Sequence, residues 1–99
     1  MKKLELLTSE AINKALDKKW PVGDALEPKS HYVATKEDNE VHFIYKEYYD
    51  VWNTFEDDVE IAKFVFDSFP SIERIHFQQG VHFSRNNFDE ELESYRALQ

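Results

Sequence analysis

Apolar residues recur at steps of four and three from Tyr48 through Trp52, Phe55, Val59, Ala62 and Phe66 to Phe69. That spacing places every one of them on a single face of a helix. No other pattern in the chain runs as long, and two signals limit it. Thr54 with Asp57 three residues on is a capping-box-like start, and acids at 56, 57 and 58 suit the positive end of a helix. Pro70 forbids continuation, because the residue before a proline disfavours helical backbone. The spacing therefore predicts a helix over 55–69. Residues 48–53 stay open between a third strand and a helical turn, since Tyr49, Val51, Asn53 and Phe55 also alternate.

Period-two alternation organises much of the remainder. Residues 31–36 and 40–46 alternate around Asp38-Asn39, a turn signal, and so predict a hairpin. A two-residue turn there pairs Tyr32 with Tyr45, Ala34 with Phe43 and Glu37 with Glu40. The last pairing opposes two carboxylates, which mildly destabilises a hairpin; a four-residue loop would relieve it. Residues 72–78 alternate again, and Gly80 can take the positive φ of a turn into Val81-His82-Phe83.

A first helix starts at Thr8, an N-cap, with Leu7 and Ile12 as a hydrophobic staple. Its stripe is Ala11, Ile12, Ala15 and Leu16. Lys18 and Lys19 suit its last turn, and Trp20-Pro21 ends it. A last helix follows Asn87, with Phe88, Leu92, Tyr95 and Leu98 as its buried stripe. Residues 22–30 read as a loop. The order describes an α+β fold, one domain over residues 1–99, with a mostly antiparallel sheet of four to five strands and about three helices on one face.

The charge is local. Residues 37–60 carry nine carboxylates and one base, Lys46, which equals the net charge of −8 of the whole chain. An acidic pI of 4.9 argues against nucleic acid or an anionic membrane as a direct ligand. The chain has no cysteine. Disulfides, thiolate metal sites and a cysteine nucleophile are excluded, and a reducing cytoplasm is the expected setting. No apolar run is long enough to span a bilayer, and the N-terminus lacks the apolar region of a signal peptide.

Motifs for chemistry are absent from the sequence. His31, His42, His76 and His82 show no ligand spacing, and a tight turn at Gln79-Gly80 sends His76 and His82 to opposite faces. No three or four ligands for zinc are specified. Glu56, Asp57, Asp58 and Glu60 lack the glycine of a calcium loop. Gly23 and Gly80 are too far apart for a phosphate cradle, and no serine sits in a nucleophile elbow. No catalytic residue, metal or cofactor is assigned, and the chain reads as non-enzymatic.

What remains is acid interleaved with aromatic surface. Glu37, Asp38, Glu40, Glu47, Tyr48, Tyr49, Asp50, Trp52, Asp57 and Asp58 are the candidate partner-binding residues. Negative charge speeds encounter with a basic protein, and exposed Tyr and Trp make strong contact points. A nucleic-acid-binding enzyme is the natural partner class, because its own ligand demands positive charge. Inhibitor, antitoxin and immunity roles fit, as does mimicry of a phosphate backbone. The alternative is an assembly module, a homodimer formed through Phe64, Phe66 and Phe69 with the last helix. A third reading is a small enzyme or ligand-binding domain using His42, His76 or His82.

Overall fold

Helix α1 (Ser9–Lys19) starts where the Thr8 hydroxyl accepts from the N–H of Ala11 at 3.1 Å. The structure, a computed structural model, describes residues 8–20, 32–45, 54–78 and 80–98. Strands β1 (Tyr32–Glu37) and β2 (Glu40–Tyr45) come next, then α2 (Phe55–Ser68), β3 (Arg74–Phe77), β4 (His82–Ser84) and α3 (Phe88–Ala97). A 3-10 turn, Arg85–Asn87, leads into α3. The architecture is the expected α+β domain with three α-helices. The predicted segment 48–53, the Leu7 staple and the loop 22–30 lie outside the described residues.

The four strands run in the order β1-β2-β3-β4. The outer pairings are antiparallel, and β2 pairs with β3 in parallel. A parallel pair needs a crossover connection, and α2 lies within it. The first hairpin has the two-residue register: Tyr32 faces Tyr45, Ala34 faces Phe43 and Glu37 faces Glu40. Asp38 takes φ 55° at the first turn position, as the primed hairpin turns demand and as Asp tolerates better than most residues. The four-residue loop that would have separated the two glutamates does not form.

Helix α2 carries the capping box that its sequence announces. Thr54 accepts from Asp57 N–H at 3.1 Å, and the Asp57 carboxylate accepts from Thr54 N–H at 3.1 Å. The helix has no base in its last turn. Arg85 supplies one from across the fold: its guanidinium donates to Ile72 O and Phe69 O, both at 2.8 Å, and lies 4.8 Å above the Phe66 ring. A cation on those carbonyls suits the negative helix end and stacks on the aromatic face.

One face of the sheet is core. Tyr32, Ala34, Val41, Phe43, Ile75, Phe77 and Phe83 point into it and meet Ile12 and Leu16 of α1 and Val59, Ile61, Ala62, Val65 and Phe66 of α2. Phe66 is buried edge-on against Phe88, and Phe64 packs edge-on against Trp20. The apolar side of α2 expected to form a dimer patch is thus largely engaged within the chain. In α3, Phe88, Leu92 and Tyr95 pack against the core but are only partly buried, where the sequence predicts a buried stripe. Leu98 does not: it is 85 % exposed, beyond the end of the helix. Asn87, the last residue of the 3-10 turn, holds the N-cap position without the side-chain capping bond expected of it.

Both edges of the sheet are closed by helix side chains. On β1, Asn13 donates to Ala34 O at 2.8 Å and accepts from Ala34 N–H at 2.6 Å, while Ser9 Oγ accepts from Lys36 N–H at 2.7 Å. On β4, the Tyr95 hydroxyl accepts from His82 N–H at 3.1 Å and donates to His82 O at 3.3 Å, while Glu91 accepts from Ser84 N–H at 2.6 Å. Each helix uses two residues four apart, which share one face. Asn13→Ala should destabilise the domain by about 1–3 kcal/mol, the cost of leaving half-buried backbone groups without partners. A urea midpoint unchanged from wild type would show that the edge bonds are redundant.

Candidate functional site

The opposite face of the sheet is not covered by any described helix. Its side chains form rows set by the strand register. One row runs Thr35, His42, His76, His82 across all four strands. The His42 and His76 rings stack at 4.6 Å with 12° between their planes, and the His82 ring lies 6.0 Å from that of His76. The next row runs Glu37, Glu40, Arg74, Ser84. On the far side of the histidines lie Val33 and Ile44, the latter 49 % exposed.

That row overturns one expectation. A two-residue turn at Gln79-Gly80 would put His76 and His82 on opposite faces. Instead Phe77 N–H donates to Val81 O at 2.8 Å, so Phe77 stands opposite Val81, the connection is one residue longer, and His76 faces His82. Gly80 closes this loop with φ 95°, the left-handed residue that three-residue hairpins place at their end. A shift of one residue turns every side chain of the strand over. It carries His82 to the open face and Phe83 into the core.

Glu40 joins the two rows. His76 Nε2 donates to Glu40 Oε1 at 2.6 Å. That hydrogen bond holds the Glu40 carboxyl below its usual range; partial burial opposes the shift, and the charges of His76, Arg74 and His42 reinforce it. A carboxyl with a lowered pKa stabilises the fold above its ordinary range. It loses that contribution as the pH falls through the lowered value. Glu40, His42 and His76 also present one ligand atom each within 4.8 Å of one another. The sequence reading finds no such set, because alternation alone gives no parallel pairing to bring β3, and with it His76, beside β2.

The acidic candidates divide. Glu37 and Asp38 are exposed at the β1–β2 turn, with Glu40 half-buried beside them. Glu73 adds a fourth carboxylate there, since its N–H donates to Asn39 O at 2.7 Å. Beyond Glu40, a polar cleft of about 380 Å³ lies between the turn and the start of α3, lined by Glu73, Arg74, Ser84 and Asn86 among others. Asp57 is engaged in the capping box. Asp58 is not on the surface at all: it is 1 % exposed and accepts from the Tyr32 hydroxyl at 2.9 Å. It forms no part of a docking surface, and neutralising Asp57 and Asp58 together would disturb the fold. Glu47, Tyr48, Tyr49, Asp50 and Trp52 lie outside the described residues.

A scan against protein-family models finds no match to this chain, and searches of curated proteins and of solved structures find none either. No described helix is long and apolar enough to cross a membrane.

Proposed function

We propose that this chain is a protein-binding module that docks the acidic end of its sheet on a basic partner. The observation behind the proposal is the opposed pair at the β1–β2 turn. Glu37 and Glu40 face each other across a two-residue hairpin, with Asp38 between them and Glu73 alongside. Like charges placed opposite destabilise a hairpin; Glu40 is compensated by His76 and Arg74, so it is the exposed Glu37 and Asp38 that folding alone does not favour. They do favour encounter with positive surface, because concentrated charge steers association. A nucleic-acid-binding enzyme remains the partner class of choice, for the reason that its own site is positive. Inhibition, including mimicry of a phosphate backbone, is the form the activity would take.

The test pairs stability with association. Glu37→Gln combined with Asp38→Asn removes two charges, keeps strand and turn propensity, and leaves Glu40 in place. Chemical denaturation should find the double variant as stable as wild type or a few tenths of a kcal/mol more stable. A partner isolated from the native host and identified should associate about tenfold more slowly with the variant, and more slowly with wild type as salt rises. A partner whose association rate ignores both changes would refute the reading.

A further inference from the structure

We propose that Glu40, His42 and His76 form a binding site for one divalent transition-metal ion with the ligand preference of zinc, its remaining coordination position open to solvent. Glu40 and His42 are two residues apart on β2 and therefore share a face. His76 is the register partner of His42 on the parallel strand β3. Three donors thus come from two adjacent strands whose spacing is fixed by the backbone ladder. The set is two imidazoles and a carboxylate, which suits zinc and its neighbours and not calcium or magnesium, whose ligands are all oxygen.

The distances fit with small movements. Tetrahedral zinc bonds of 2.0–2.2 Å set its ligand atoms roughly 3.4 Å apart. The Glu40 oxygen already lies 2.6 Å from His76 Nε2, and all three donor atoms fall within 4.8 Å. The stacked imidazoles cannot both aim a lone pair at one point while their planes are 12° apart. Each must turn about its side-chain bonds. Both rings are only half-buried on the open face, so this rotation meets no core packing. Glu40 would exchange its hydrogen bond for the metal. Three protein ligands with an open position are the arrangement of hydrolytic zinc centres and not of closed structural ones. This site stands independently of the acidic docking surface, although both use Glu40.

His82 provides the control. It is next in the row, but its ring lies 6.0 Å from that of His76, and its backbone is tied to Tyr95. Calorimetric titration with zinc chloride against a weak competing chelator should give one ion per chain with a dissociation constant in the micromolar range or below. Imidazole nitrogen resonances of His42 and His76 should shift on addition of zinc, and those of His82 should shift far less. His42→Ala, His76→Ala and Glu40→Gln should each weaken binding by about tenfold or more, consistent with loss of a ligand. His82→Ala and the Glu37→Gln/Asp38→Asn double variant should leave it within about threefold. Circular dichroism on each variant, together with a thermal midpoint that rises with zinc only where the site is intact, separates lost binding from lost fold. No saturable binding to wild type would overturn the site. So would binding that survives His42→Ala and His76→Ala, or that fails equally in His82→Ala.

Discussion

Phe83→Ala should cost the domain about 3–5 kcal/mol, the range for truncating a fully buried aromatic. Phe83 is 0 % exposed, and its ring meets Phe55 of α2, Phe88 at the start of α3 and Tyr95 further along it. It is the side chain through which the short strand β4 holds both helices. A strand of three residues has few backbone bonds of its own, so side-chain packing must fix it in place. A loss of that size is a large part of the total stability of a small domain. Equilibrium urea unfolding monitored by circular dichroism reads it directly. A loss below about 1 kcal/mol would mean that the neighbouring rings close over the gap and that Phe83 does not anchor α3.

Replacing Asp58 should give the next largest effect, and its contrast with Asp57 is the informative part. Asp58→Ala removes a buried acceptor and breaks its bond with the Tyr32 hydroxyl, whose ring lies among Phe43 and Phe77. The expected cost is about 2–3 kcal/mol, the upper part of the range for removing one partner of a buried hydrogen bond. Asp57→Ala loses one arm of the capping box and should cost about 1 kcal/mol. Asp58→Asn retains an acceptor for Tyr32 and should fall between the two. Equal costs for Asp57→Ala and Asp58→Ala, measured by denaturation at neutral pH, would contradict this division of roles.

These two acids show where sequence reading succeeds and where it stops. The start of α2, its end before Pro70 and the β1–β2 register follow from local chemistry: a cap, a proline and a turn pair. Each involves residues within a few positions of one another. Asp58 belongs to another level. It lies three residues after Phe55 and four before Ala62, so its spacing already assigns it to the buried face. A run of three acids at a helix start hides that assignment. Tyr32, twenty-six positions away, gives the carboxylate a buried donor there. The second hairpin failed for a sharper reason. Gln79 is a poor residue for the positive φ that a two-residue turn asks of its first position. Gly80 in the left-handed region at the end of the loop points instead to three residues. That single position decides whether the domain presents two histidines on its open face, His42 and His76, or a row of three. The parallel pairing of β2 with β3 was not readable, because alternation has no direction.

The closed edges have a consequence for how any partner can be recognised. A sheet with a bare outer strand invites a visiting strand, and proteins use that opening both to capture extended peptides and, when uncontrolled, to aggregate. Here Asn13 and Ser9 occupy outward backbone groups of β1, and Tyr95 and Glu91 occupy those of β4. Strand donation at those positions would first have to displace them. Among the described residues, recognition then falls to side chains on the open face and at the turn, where it depends on charge and on particular residues and not on backbone shape. A domain built this way can remain dispersed at high concentration while keeping one polar surface available for a chosen ligand.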